Sequence, residues 1–190
     1  MKKILIAGIV GGIMLFVWGF LVNVVIPLHT PSLHSMPNED AVVDLLRSTL
    51  STPGVYVFPA MPTDNQKTSM DTYTQKYTRG PLGMIIYYPH GADPIMPSQM
   101  IIGLIISIIS SFFAAWFLSR STAAASPYLT RVIYLGMLGV FVSFFVYLSS
   151  WNWFFYPLDH TTANIADSIL GWLFAGLGIA AIIKPKEEIS

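Results

Sequence analysis

The sequence predicts a mainly α membrane protein: four transmembrane helices, with a small α+β extracytoplasmic cap between helices 1 and 2. Three observations lead there. Apolar residues make up 54% of the 190-residue chain and charged residues 11%, less than half the roughly 25% of a soluble domain. Charges are nearly absent from four long blocks and cluster between them. Lys and Arg recur at the end of each block that the positive-inside rule assigns to the cytoplasm.

The first block runs from Ile4 to Pro27 and has no charged or strongly polar residue as far as Val22. At about 1.5 Å per residue, some 20 residues cross a hydrocarbon core of roughly 30 Å. Lys2 and Lys3 also suit a cleaved signal peptide. Its apolar stretch would be far longer than the roughly 7–15 residues usual there, and no A-x-A-like site follows. Residues 1–28 are therefore expected to form a retained signal anchor. Further blocks run from about Met100 to Ser119, Pro127 to Ser150 and Thr162 to Ile183. Ser126 is the expected N-cap of the third, with Pro127 at its first helical position. Pro185 follows the fourth. Residues 100–190 thus form a three-helix membrane region.

Orientation follows from the short connections. Lys2 and Lys3 precede span 1, Arg120 and Arg131 are counted with the turn between spans 2 and 3, and Lys184 and Lys186 follow span 4. The connection 151–161 has no Lys or Arg. Both termini are expected in the cytoplasm, with residues 29–99 and 151–161 outside. The run Trp151 to Tyr156 would then lie at the outer interface, where amphipathic rings are favoured.

Residues 29–99 have a pattern of their own. Pro37 to Leu50 reads as an amphipathic helix with Val42, Val43, Leu45, Leu46 and Leu50 on one face, and Glu39 and Asp40 in its first turn. Gly54 to Pro59 and Leu82 to Tyr88 read as strands. Thr63 to Gln66 is turn-like, and Ser69 to Thr78 is a short helix candidate. Two strands alone are marginal in water, so they are expected to pack on the first of these helices and on the outer ends of the spans.

Lipid gives no hydrophobic drive between helices, so small residues that allow close approach matter more. Each span has such a stripe: Gly8, Gly12 and Gly19; Gly103, Ser107, Ser111 and Ala115; Gly139 and Ser143; Ser168, Gly171, Ala175 and Gly178. They are expected to build one tight bundle, or else to dock a partner or a second copy.

Net charge is zero and the ten Lys and Arg are scattered, so no basic footprint for nucleic acid is present. The absence of Cys excludes disulfides, thiolate metal sites and a cysteine nucleophile. No phosphate loop, nucleophile elbow or pair of catalytic carboxylates is found, so no catalytic residue is assigned. All four histidines, His29, His34, His90 and His160, fall on the expected outer side together with Asp159. Imidazoles and carboxylates suit zinc or copper, but no H-x-x-x-H or H-E-x-x-H element fixes such a site. No cofactor is therefore expected, and the metal site is kept as an alternative. Asp167 is taken as the one charge inside a span, and intramembrane ionisable groups are functional candidates. Asn23, at similar depth on span 1, is its expected partner.

Several short stretches carry a resemblance: Ile26-Pro27-Leu28-His29, GVYVFP, GPLGMIIYYPHG, Trp151-Asn152-Trp153, and Gly171 to Gly176. In their order the chain resembles a family of small uncharacterised bacterial inner-membrane proteins. The resemblance implies four spans and a bacterial inner membrane. It implies no activity and transfers no site residue. The expected role is that of a non-enzymatic accessory or scaffold component, in contact with membrane lipids and binding another membrane protein or itself. The alternatives are an outer-face metal protein or enzyme using the histidines, and a small transporter or channel using Asp167.

Overall fold

In a membrane core an α-helix is one of the few ways to satisfy every backbone N–H and C=O, and the four apolar blocks all form helices. The computed structural model describes residues 1–63 and 66–184. Residues 64 and 65 of the turn expected at 63–66, and Pro185 and Lys186, lie outside the described residues. Helix α1 spans Lys2–Phe20 and continues as a π-helical turn, Leu21–Val25. Helix α2 (Glu39–Thr49), strand β1 (Gly54–Phe58), helix α3 (Lys67–Arg79) and strand β2 (Gly83–Tyr87) follow. Helix α4 covers Pro97–Arg120, and α5 covers Tyr128–Val142. A second π-helical turn, Ser143–Leu148, joins α5 to α6, Ser149–Phe154. Helix α7 is Leu158–Ile182. Four helical stretches, Lys2–Val25, Pro97–Arg120, Tyr128–Phe154 and Leu158–Ile182, are long and apolar enough to cross a membrane.

Three boundaries differ from expectation. Pro127 occupies the N-cap position of α5, and no side chain caps that helix end. The aromatic run continues the third span as α6 until Phe155, whose left-handed backbone (φ 56°) stops it. Helix α7 begins about one turn earlier than Thr162, which brings Asp159 and His160 onto it.

The chain divides into two compact units, Ser35–Pro94 and the remainder. In the helical unit, α1 packs on both α4 and α7, and α7 packs on α5. The helices therefore stand in the order α4, α1, α7, α5. An apolar hollow of about 370 Å³ lies between α4 and α5, lined by Phe117, Tyr134 and Phe141 among others. Ala7, Ala114, Ala115, Leu118, Leu135, Ile179 and Ile183 form the buried core.

Much of the close packing rests on the small residues. A Cβ on Gly8 would stand 2.8 Å from the Cα of Phe112, and one on Gly12 would collide with the backbone of Ile108. Across the α5–α7 contact, a Cβ on Gly139 would meet the Cα of Ile169 at 2.7 Å. Ser143 and Ser168 both donate to the Gly139 carbonyl, at 2.7 and 3.3 Å. Ala175 is fully buried. Elsewhere the stripes are looser. A Cβ on Gly103 would meet only the Phe16 ring, at 3.7 Å, and one on Gly19 would meet nothing within 4 Å. Ser107 donates to the Gly103 carbonyl (2.9 Å). Ser111 is buried, and its Oγ has no hydrogen-bond partner among the described residues.

Arg131 corrects the expectation that Asp167 is the one charge within a span. It lies in the first turn of α5 and is 5% exposed. Its guanidinium donates to the carbonyls of Ser126 and of Ala180, the latter from Nη2 at 3.1 Å. Ala180 belongs to the last turn of α7, where carbonyls lack helical partners and a cation is favoured. Arg131 thus ties the start of α5 to the end of α7.

In the second unit, β1 and β2 pair antiparallel, with Val55 opposite Ile86 and Val57 opposite Met84. These four apolar side chains share one face, and all are exposed. Tyr56, Ile85 and Tyr87 on the other face are half-buried. On α2, Val42, Val43, Leu46 and Leu50 are half-buried, while Leu45 is exposed. The strands were expected to pack on α2 and on the outer ends of the spans. Among the described residues from 35 to 94, none is buried.

Candidate functional site

Helix α7 presents His160, Asn164 and Asp167 at i, i+4 and i+7, a spacing that places them on one face. Helix α1 brings Trp18 to the same end of the bundle. After the π-helical turn, a single 3₁₀ turn, Thr30–Ser32, folds the chain back and supplies His29 and Ser32.

Asp167 is the hub of this cluster. Trp18 Nε1 donates to its Oδ1 at 2.7 Å, and His29 Nε2 lies 3.1 Å from its Oδ2. The two side chains of the His29–Asp167 pair are 16% and 29% exposed, so neither is stranded in apolar surroundings. The indole is seated between Phe174, at 6.0 Å between centroids, and Gly171, where a Cβ would stand 2.9 Å from Trp18 Cδ1. Gly171 follows Asp167 by one turn. Its missing side chain is what lets the indole lie flat enough to reach the carboxylate.

A second branch runs through Ser32. Its hydroxyl donates to the His29 carbonyl at 2.8 Å and lies 3.2 Å from His160 Nδ1. With its one proton on the carbonyl, Ser32 is the acceptor of the second contact and His160 Nδ1 the donor. Tyr156 stacks on the His160 ring at 5.7 Å and 27°. Beside them is a cavity of about 190 Å³, lined by Tyr147, Ser150, Tyr156, His160, Thr161 and Asn164.

The candidates from the sequence separate in space. His29, His160 and Asp167 fall in one hydrogen-bonded set. Asn23 does not partner Asp167 as expected: it is exposed, and its Nδ2 donates to the Gly19 carbonyl at 2.8 Å. Asp159 Oδ1 accepts from the His160 backbone N–H at 2.8 Å, within the first turn of α7. His34 is exposed. His90 belongs to the other unit, where it meets the Tyr88 ring edge-on at 5.8 Å. Among the described residues no three His, Asp or Glu come together in a way that would hold a metal ion.

Among the described residues the arrangement also forms no Ser-His-Asp relay. Asp167 orients His29, whereas Ser32 pairs with His160, so the carboxylate and the hydroxyl sit on different imidazoles. A Ser-His-Asp relay needs both on one ring. A wider hollow, about 1080 Å³, lies between residues 58–62 and α3, and the described residues that line it include Lys76 and Arg79 but no carboxylate or imidazole. The chain matches no protein-family model, no curated protein and no solved structure.

Trp18, Ser32, Tyr156 and Arg131 were not singled out from the sequence for the contacts they make. Ser32 was within reach of inspection, three residues after His29. Arg131 was too, four residues after the proline that starts the third span.

Charge divides sharply along the helical unit. Lys2, Lys3, Arg120, Arg131 and Lys184 are its described cations, and all lie at the end opposite the histidines. Its described carboxylates, Asp159 and Asp167, both lie at the histidine end.

Proposed function

We propose that this chain is a non-enzymatic accessory or scaffold subunit of a bacterial inner membrane, and that residues 35–94 bind another membrane protein. The observation that carries this reading is the exposed sheet face of Val55, Val57, Met84 and Ile86. An antiparallel sheet with one solvated face ordinarily alternates apolar and polar residues. Here both faces are apolar. Two strands with no buried residue beside them lack the burial that stabilises such a sheet alone, and a partner surface would supply it. The distribution of Lys and Arg supports the cytoplasmic placement of both termini. The resemblance of several short stretches to uncharacterised bacterial inner-membrane proteins is the ground for the compartment.

The metal alternative asks for three convergent ligands, and the histidine end offers sequential pairs instead. Transport through Asp167 asks for a polar path at mid-membrane. Toward the end opposite Asp167 the bundle is closed by the buried core of Ala7, Leu118, Leu135 and Ile179.

The test is purification of the tagged protein in mild detergent, with mass spectrometry of what accompanies it. A stoichiometric membrane protein that is lost on Ile86→Lys, while the variant keeps its helical content, is the expected result. The same companions in both samples, or none in either, would sink the reading.

A further inference from the structure

We propose that the groove between the start of α1 and the end of α4 binds an anionic phospholipid, with an acyl chain in the groove and the phosphate at Arg120. This inference needs only that the helical unit lies in a membrane, and it does not depend on the accessory role. It starts from the seam between the two helices. A Cβ on Gly12 would strike the backbone of Ile108, and one on Gly8 would stand 2.8 Å from the Cα of Phe112. One turn further along the same faces come Ile4 on α1 and Trp116 on α4, and then Met1 and Arg120. Steps of three or four residues keep side chains on one helix face. The glycines have run out here, so side chains stand between the backbones. A cavity of about 270 Å³ opens, lined by Met1, Ile4, Phe112, Phe113, Trp116 and Arg120.

The lining sets what can occupy it. Ile4, Phe112 and Phe113 are hydrocarbon, and Phe113 is exposed, so in a membrane the groove meets lipid chains. The strongly polar side-chain groups of the lining are the Arg120 guanidinium and the Trp116 indole N–H, and both are donors only. Neither group has a hydrogen-bond or ion-pair partner among the described residues. A phosphodiester offers acceptors and a negative charge, the complement of that pair, and the chains of its lipid complement the rest. The negative end of the α4 dipole lies beside the positive end of α1, so the two largely offset. Net attraction then follows from the side chains. Lys2 and Lys3 lie at the same end as Arg120, and the described carboxylates of the helical unit, Asp159 and Asp167, lie at the other. Trp116 stands one turn before Arg120, where an amphipathic ring suits the headgroup boundary.

The experiment uses the full chain in nanodiscs holding equal parts of phosphatidylglycerol and phosphatidylethanolamine, with retained lipid read by native mass spectrometry. Both headgroups carry the phosphate, but only phosphatidylglycerol keeps a net negative charge. It should be retained about fivefold or more over phosphatidylethanolamine, about fivefold being what one nearby cation contributes at a membrane surface. Arg120→Gln should cut that preference by about the same factor. Ile4→Trp fills the groove and leaves every cation in place, and it should lose the bound lipid. If that variant loses its helical content, Phe113→Trp makes the same test. Lys184→Gln removes a cation from the same end that does not line the groove, and it should cost much less than Arg120→Gln. Equal retention of the two lipids would overturn the proposal. Wild-type retention in the groove-filling variant, or equal losses in Arg120→Gln and Lys184→Gln, would reduce the effect to general surface attraction and overturn it too. So would displacement of the lipid by glycerol phosphate, which has no chain for the groove.

Discussion

Trp18 and Asp167, 149 positions apart, are joined by a 2.7 Å hydrogen bond from the indole nitrogen to the carboxylate. The bond links the first and last spans near one end. Trp18→Phe keeps an aromatic ring against Phe174 and removes only the donor. Hydrogen bonds to charged groups are worth about 1.5–3 kcal/mol, so the variant should lose stability in that range in reversible detergent unfolding. Unchanged stability would mean that the ring's packing, and not its N–H, holds the helices together.

His29 and Asp167 should be energetically coupled. The pair is about three-quarters shielded, so water screens it only in part. A double-mutant cycle of His29→Ala with Asp167→Asn should give a coupling energy of about 0.5–3 kcal/mol. Strict additivity would show that the two side chains meet without stabilising one another.

Gly12 and Gly103 test the bundle from opposite directions. A side chain at Gly12 has backbone in its way, so Gly12→Ala must push α1 from α4. Small-to-large changes of this kind cost about 1–3 kcal/mol. At Gly103 the neighbour is a ring at ordinary contact distance, and Gly103→Ala should be tolerated, with a gain from helix propensity of up to about 1 kcal/mol. Thermal unfolding of both, side by side, checks the pair. Equal behaviour would mean that the α1–α4 seam is looser than drawn.

Arg131 should resist conservative replacement. Its planar guanidinium reaches two carbonyls on different elements, a geometry the single ammonium of Lys does not reproduce. Arg131→Lys should lose about 1.5–3 kcal/mol, despite keeping the charge. Wild-type stability in that variant would reduce the role of Arg131 to its charge alone.

The spans were legible because a long apolar run leaves the backbone one practical solution, and length and composition report it directly. The contacts of Asp167 were not. Depth along a helix can be read from position, and depth alone suggested Asn23. Depth says nothing about which way round the helix a side chain projects, nor which helices are neighbours. Trp18 faces α7, whereas Asn23, five residues on and beyond the start of a π-helical turn, faces outward. That turn shifts the register that a regular helix would have kept. His29 and His160 meet at one end of the helical unit, but Ser32, which links them, has no pattern that announces it. Arg131 was legible and misassigned: as a positive-inside marker it was counted with the turn, although its distance from Pro127 put it on the helix.

The helix order α4, α1, α7, α5 has a consequence for biosynthesis. The ribosome delivers α1 before the other three spans, yet the two helices that cover it are the second and the last. Its glycine-bearing surface against α7 stays bare until the fourth of these helices has been made, and α5, already delivered, has no substantial neighbour before α7 arrives. Assembly is therefore closed by the final span. A translation arrest just before it would leave three inserted helices with most of their native interface unformed, a state that membrane quality control would encounter each time the chain is made.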